Sequence, residues 1–204
     1  MTDPDGRRQH NLYQRQIFDK SVESFRQPIP ADVQQRTKQI VAAAKLEKSD
    51  SVLDVGTGIG VLIPHIQRLG VRHIVGCDLS EAMLAEARRR YPEMEFWRGD
   101  VVDLPPDFGP FDAIFFNAVF GNLWSQRDAL KASSERLARR GRIVISHPMG
   151  AAFAEALAAK NPGMILHPLP DENRIAELIE GLPLTVDVFH DEKNLYLCVL
   201  MRDQ

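Results

Sequence analysis

The stretch Val52-Leu53-Asp54-Val55-Gly56-Thr57-Gly58-Ile59-Gly60 constrains the fold of this chain more than any other. A short β-branched run, Ser51 to Val55, leads into three alternate glycines. An apolar run from Val61 to Leu69 follows, closed by Gly70. A strand that turns directly into a helix is the first half of a crossover unit, so the next strand runs parallel to it and helices cover the sheet. Glycine permits positive φ and a close approach of ligand to backbone. The first helical turn also leaves N–H groups unpaired. Three alternate glycines exceed what a tight turn requires, so the loop reads as a ligand cradle.

The rest of the chain continues the alternation. A polar, frayed tail is predicted to about residue 10, then a helix over Asn11–Phe25 on the spacing of Leu12, Tyr13, Ile17, Phe18, Val22 and Phe25. Gln27-Pro28-Ile29-Pro30 breaks the chain. Further helices are predicted over Ala31–Glu47, Glu81–Arg90 (with Ser80 as N-cap), Ser125–Arg139 (ended by Gly141), Ala151–Lys160 and Asp171–Glu180. Strands are predicted at Arg72–Cys77, Met94–Trp97, Phe111–Phe116 and Arg142–Ser146. The uniformly apolar Ile114-Phe115-Phe116 suits a central position buried on both faces. Two last runs, Leu184–His190 and Leu195–Met201, are separated only by Asp191-Glu192-Lys193-Asn194. That is too short for a crossover helix, so an antiparallel hairpin closes one edge.

The totals exclude several classes. At 204 residues the chain suits one sizeable α/β domain. Lys plus Arg is 25 against 28 Asp plus Glu, so no global field draws a phosphate backbone and no nucleic-acid substrate is expected. No apolar run approaches the roughly 20 residues that span a bilayer, and the start, Met1 to Arg8, is too polar for a signal peptide. Cys77 and Cys198 each sit in an apolar strand and read as buried free thiols, which fits a reducing, cytoplasmic setting. The Arg88-Arg89-Arg90 and Arg139-Arg140 clusters read as helix-end cations favoured by the dipole rather than phosphate binders.

Ligands of doubly wound sheets lie beyond the carboxyl ends of the strands, so the residues there carry the chemistry. The glycine spacing is G-x-G-x-G: the sixth position from Gly56 is Val61, which does not fit a dinucleotide fingerprint. Asp54, just before the glycines, would repel a pyrophosphate and favour a ligand with an ammonium group. Asp78, ending the second strand, can accept both hydroxyls of a ribose. Asp100, after Gly99, can accept from an exocyclic amino group, and Asn117 follows the central strand on the ligand face. Each also has a plainer reading, as a helix-start acid, a turn and a strand-end cap.

Taken together these motifs resemble the class I S-adenosylmethionine-dependent methyltransferases, from about residue 31 to 201. The resemblance implies a seven-stranded sheet of order 3-2-1-4-5-7-6 with helices on both faces, an antiparallel strand in the C-terminal hairpin, and extra N-terminal helices. Residues 1–30 would be a helical extension or lid and 31–204 the methyltransferase domain. The cofactor implied is S-adenosyl-L-methionine. Gly56, Thr57, Gly58 and Gly60 would line its methionine part, with Asp54 near the amino group. Asp78 would hold the ribose, Leu79 and Met83 would flank the adenine, and Gly99, Asp100 and Val101 would contact the base. Asn117 and Ala118 would pass under the sulfonium. The sequence Asn117-Ala118-Val119-Phe120 differs from the Asn/Asp-Pro-Pro-aromatic motif of the nucleic-acid amino-methylating branches.

The reaction expected is methyl transfer to a small, partly apolar acceptor through O, N or C. His147, directly after the fifth strand, is the candidate base, with a structural hydrogen bond as its plainer role. Phe120, Asn122 and Trp124, with contributions from the 148–170 segment including His167 and with Tyr13 and Phe18 from the N-terminal helix, are candidate acceptor-site residues. No histidine shows metal-ligand spacing. Three other readings stay open: a non-catalytic cofactor-binding relative, a protein or RNA methyltransferase working with a partner, and a nicotinamide oxidoreductase, which the glycine spacing and terminal hairpin disfavour. The acceptor and the oligomeric state are not legible in the sequence.

Overall fold

A computed structural model describes residues 3–203. Its seven strands are β1 (Ser51–Val55), β2 (His73–Asp78), β3 (Glu95–Arg98), β4 (Phe111–Asn117), β5 (Leu137–His147), β6 (Leu184–Glu192) and β7 (Leu195–Arg202). They form one sheet in the order β3-β2-β1-β4-β5-β7-β6. The first five are parallel, and β7 runs antiparallel to both β5 and β6. This is the expected order, with the hairpin turning on Lys193-Asn194.

Alternation along the central strands builds two cores, because successive side chains leave opposite faces. Leu53, Val55, Ile114, Phe116, Ile143 and Ile145 share one face. There they meet Leu130 of α5 (Gln126–Arg136) and Ile175 and Leu178 of α7 (Glu172–Ile179). Val52, Ala113, Phe115 and Val144 face the other way, onto Ile40 and Val41 of α2 (Ala31–Ala43) and Ile66 of α3 (Ile63–Gln67). Each face therefore buries apolar area that the helices alone would leave wet. Tyr196, fully buried on β7, donates from its hydroxyl to Pro170 O at 2.6 Å, and burial pushes its phenol pKa upward. Tyr196→Phe leaves that buried carbonyl unpaired, and urea unfolding should show a loss of about 1–3 kcal/mol at unchanged m-value. An unchanged midpoint would mean water replaces the hydroxyl.

Several boundaries differ from the sequence expectation. The N-terminal helix α1 runs from Pro4 to Phe25, so residues 4–10 are helical and not a frayed tail; residues 1 and 2 lie outside the described residues. Asp3 caps it by accepting from Gly6 N at 2.9 Å, Pro4 opens it, and Arg7 pairs with Asp103 at 2.9 Å. α2 ends at Ala43, and Lys45 leaves the helix at φ 51°. The predicted Val61–Leu69 helix shrinks to the short α3.

The helix expected over Ser125–Arg139 stops at Arg136, and β5 starts at Leu137. Leu137 is buried and pairs with Phe111, and a bulge with Arg140 at φ 61° follows before Ala113 pairs with Arg142. A Cβ on Gly141 would lie 2.8 Å from Leu137 Cγ and 3.0 Å from Ala138 O, so this glycine allows the bulge rather than ending a helix. Arg139-Arg140 accordingly sit in a strand bulge.

Arg88-Arg89-Arg90 do end a helix, α4 (Glu81–Arg90), which Ser80 caps. Two of them, with Arg26, surround the buried carboxylate of Glu86 at 2.7–2.9 Å. The hydrogen bonds from Arg89, Arg90 and Arg26 hold Glu86 well below the usual carboxylate range.

On the far edge, β6 carries a register shift between Val186 and Val188. Asp187 at that shift reaches toward Lys45 (3.6 Å) and Arg142 (4.0 Å). Cys77 and Cys198 are buried and unpaired. Among the described residues no helix is long and apolar enough to cross a membrane, and no cluster of metal-binding side chains occurs. The remaining helix, α6 (Ala151–Lys160), follows Gly150.

Candidate functional site

A cavity of about 470 Å³ opens over the carboxyl ends of β1 to β5. Its floor is the glycine loop. Gly56 N and Thr57 N donate to Cys77 O at 2.8 and 3.0 Å, which pins the loop to β2. The glycines then do different work. A Cβ at Gly56 (φ 66°) would lie 2.5 Å from Val119 Cγ2, and one at Gly60 (φ 85°) 2.6 Å from Tyr91 Cε2. At Gly58 (φ 55°) a Cβ would meet nothing within 4 Å, because this residue borders open cavity.

Three carboxylates, two on the neighbouring strands β1 and β2 and one in the loop after β3, line the same cavity. Asp54, only 2% exposed, accepts from Thr57 Oγ1 at 2.7 Å. Burial, helped by the charge of Asp78, pushes its pKa up to about 7, against the Thr57 hydrogen bond. Asp78 accepts from Gly58 N and from Ser80 N, both at 2.8 Å; burial raises its pKa and these amides oppose the shift. Asp100 caps the short 3₁₀ turn Val101–Asp103, accepting from Val102 N at 3.2 Å, and its other oxygen accepts from Asn11 Nδ2 at 2.8 Å. On the central strand, Ser146 Oγ donates to Asn117 Oδ1 at 3.0 Å and Ala118 N donates to Ser146 O at 2.8 Å. Ala118 itself is held at φ 55°, a left-handed conformation uncommon for a residue with a Cβ.

The cavity wall thus brings together Asp54, Gly56, Thr57, Gly58, Asp78, Leu79, Met83, Gly99, Asp100, Val101, Asn117 and Ala118, along with Phe18, Asn122 and Trp124. Met83 does double duty, since it also packs with Val22 and Ile59. Gly60 lies behind the wall, where it makes room for Tyr91 and Ile63. Phe120 is fully buried, edge-on to Phe116 at 5.6 Å, and belongs to the core rather than to an acceptor pocket. Tyr13 is 44% exposed and reaches Pro162 O at 3.3 Å. His167 is tied to Trp124 O at 3.1 Å, away from the cavity wall. His147 is also off the wall: Met149 N donates to its Nδ1 at 3.2 Å, and its ring lies 5.6 Å from that of Phe153. Burial pushes its pKa down to about 4, so it is neutral at pH 7. That placement is the structural role already weighed for it.

Two features of the wall were not singled out in the sequence: Asn11, Gln14 and Arg15 of α1 line it, and the segment from Gln27 to Pro30 continues it. Met149, from the 148–170 segment expected there, closes it. Gln14 is 3% exposed and donates to Gly163 O and Met164 O, while Asn122 Nδ2 donates to Gln14 Oε1 and Met164 O. Asp19 accepts from Ser80 Oγ at 2.6 Å and Ala82 N at 3.2 Å. α1 is therefore fastened by polar contacts to the loops after β2, β3 and β4 and to residues 162–164. Helical spacing marks apolar faces, and these α1 residues are polar, so that signal passes over them.

Residues 52–141 match a family model described as a methyltransferase domain. The demethylmenaquinone methyltransferase of Paenarthrobacter aurescens is 33% identical over 113 residues, which cover 54% of this chain and 44% of that protein. The trans-aconitate 2-methyltransferase of Rhizobium rhizogenes is 27% identical over 177 residues, 77% of this chain and 66% of that one. The chain thus spans less than half the length of the first of these relatives. Among solved structures, the N-methyltransferase NodS of Bradyrhizobium japonicum, in complex with S-adenosyl-L-homocysteine, superposes with a TM-score of 0.72 at 15% identity over 94% of this chain and 99% of its own. The magnesium protoporphyrin IX methyltransferase of Synechocystis with the same ligand gives 0.71 at 18% identity, over 95% and 100%. At such identities these structures speak to the fold.

Proposed function

We propose that this chain is a class I S-adenosylmethionine-dependent methyltransferase that binds S-adenosyl-L-methionine in the cavity and methylates a small-molecule acceptor; its strand order and the match of residues 52–141 to a methyltransferase domain support the reading. One observation carries the reading: Asp54 of β1, Asp78 of β2 and Asp100 after β3 converge on a cavity with a glycine-loop floor. The fit is chemical. A nearly sealed carboxylate with a raised pKa favours a cationic partner, and the open face of Gly58 leaves room for a ligand against the backbone.

The cofactor supplies an activated methyl on a positively charged sulfur, so the protein chiefly positions two reactants. Asp54 receives the amino group. Asp78, oriented by Gly58 N and Ser80 N, keeps lone pairs for the ribose hydroxyls. Leu79, Met83 and Val101 sandwich the adenine, and Gly99 and Asp100 meet its edge. Asn117 and Ala118 present the strand end to the reacting centre. Residues 1–30 act as a lid, with Asn11, Gln14, Arg15 and Phe18 on its inner face. No nucleic acid is required, and the unpaired Cys77 and Cys198 suit a reducing cytoplasm.

Calorimetric titration with S-adenosylmethionine, S-adenosylhomocysteine and NADH, beside an Asp78→Ala variant, tests this. Saturable binding of the sulfur ligands, weakened at least about 100-fold in the variant and absent for NADH, is expected; losing two charge-assisted hydrogen bonds to ribose accounts for about 3 kcal/mol. If neither sulfur ligand binds, the proposal fails. Binding without turnover of any acceptor would favour a non-catalytic relative.

A further inference from the structure

The cavity has two chemically different halves. Asp78 ends β2 and Asp100 follows β3, so one half lies over that side of the sheet. Arg15 belongs to it too: it lies 3.7 Å from Asp19, which caps α4 beside Asp78. The other half lies over β4 and β5. It is walled by Pro28 and Ile29 of the linker, by Val33 of α2, whose Arg36 Nε donates to Pro148 O, and by Pro148 and Met149 after β5. Asp54 borders the junction, beneath the glycine loop. Among the described residues, the ionisable side chains lining the cavity are Arg15, Asp54, Cys77, Asp78 and Asp100, and all five belong to the first half or to the junction. The polar side chains that line the cavity at and after the end of β4 are uncharged: the Asn117 and Asn122 amides.

This division selects the nucleophile. An ordinary alcohol or a carbon acid must lose its proton as it attacks, and that requires a base within hydrogen-bond reach. His147 is turned away, with Nδ1 taken by Met149 N. An alkylamine is a cation at neutral pH. In an apolar chamber beside a sulfonium it would be repelled, with no carboxylate there to hold it. An anion meets the opposite situation. Its charge is attracted by the sulfonium, and both charges vanish in the product, so low-dielectric walls strengthen the attraction and disfavour neither product.

We propose that the acceptor is an apolar molecule whose nucleophilic atom is already anionic at neutral pH, a carboxylate, thiolate or acidic phenolate, housed by the Pro28–Val33 and Pro148–Met149 walls. The proposal rests on the cofactor reading above. The acceptor's lone pair forms the new bond to the methyl carbon as the S–CH₃ bond breaks. The electron pair of that bond stays on sulfur, which becomes a neutral thioether. The acceptor's proton has already left to solvent, so no proton moves in the transfer step and no other reactant enters.

The test compares phenylacetate, thiophenol and 4-nitrophenol with benzylamine and benzyl alcohol. Each is titrated into protein saturated with S-adenosylhomocysteine, whose sulfur is neutral, or with sinefungin, which carries an ammonium in place of the methylsulfonium. At least one of the three anions should bind about ten-fold or more tighter to the sinefungin complex. The alcohol should be indifferent, and the amine should bind more weakly there. Met149→Glu should cut that anion's affinity at least about ten-fold. Mass spectrometry with S-adenosylmethionine should find the methylated product of an anion and of neither other probe. Tighter binding or methylation of the amine or alcohol, equal anion affinity in both complexes, or an unmoved affinity in Met149→Glu would overturn the proposal. Failure of the cofactor reading would show separately, as no binding of S-adenosylhomocysteine or sinefungin to the protein alone.

Discussion

Replacing Asp54 by Asn is expected to weaken S-adenosylmethionine binding about 100-fold or more while making the ligand-free protein more stable at pH 8. Both effects come from one buried carboxylate. Its pKa in the folded protein is about 7, against 3.8 as its ordinary value. A raised pKa means the native state holds the proton more tightly than the unfolded chain. Stability from this group is therefore fully present below about pH 4 and is lost as pH rises through 7, a loss of the order of 4 kcal/mol. An Asn escapes that loss and can still accept from Thr57 Oγ1. Its Tm should exceed that of the parent by roughly 5 °C or more at pH 8, with little difference at pH 4.

Ligand binding reverses the sign. A cation beside Asp54 favours the ionised form, so affinity should rise about ten-fold per pH unit up to 7 and level off above it. Below pH 7, binding should release close to one proton, visible as a dependence of the heat on the buffer. The other groups facing Asp54 are Asp78 and Cys77. Asp78 contributes repulsion to the shift, and Cys77 remains a neutral thiol because burial raises its pKa well above the ordinary value. An Asn variant that kept the parent's affinity and pH profile would mean the carboxylate does not meet the ligand's charge.

The three loop glycines should respond to alanine in two different ways. Gly56→Ala and Gly60→Ala each add a left-handed Cβ, 2.5 Å from Val119 in one case and 2.6 Å from Tyr91 in the other. Strain plus displaced packing should remove about 2–5 kcal/mol, seen as a lower urea midpoint. Gly58→Ala carries the strain without the collision, so its stability should fall by only about 1–2 kcal/mol. Its methyl group enters the cavity beside Asp78, and S-adenosylhomocysteine affinity should fall at least about 30-fold. Equal stability losses at all three positions, with affinity following stability, would mean that Gly58 does not border the ligand.

The parts of the molecule legible from sequence were those where one local pattern has one physical cause. The strand–glycine–helix unit, the Ser80 cap and the short terminal hairpin all arose from neighbouring residues, and the structure has them in place. The strand order was a consequence of the family resemblance. What escaped depends on contacts distant in the chain. Residues 4–10 looked frayed because their partners, Asp103 and Asn122, lie some hundred positions away. Arg136 and Leu137 both suit a helix, and only the pairing of Leu137 with Phe111 decides otherwise. Phe120 and Trp124 are alike in sequence as aromatics after a strand, yet one fills the core and the other faces the cavity. His147 sits where a base would be sought, and its backbone partner two residues on turns it elsewhere.

The edges of the sheet bear on how copies of this chain meet one another. A bare strand edge is a template for adding a further strand from a second molecule. β3, at one margin, is only four residues long and begins and ends with charge, at Glu95 and Arg98. β6, at the other, is interrupted at Asp187 and finishes in the exposed acids Asp191 and Glu192. A neighbouring strand would have to desolvate those charges and follow the kink, so growth of a continuous intermolecular sheet is opposed at both margins.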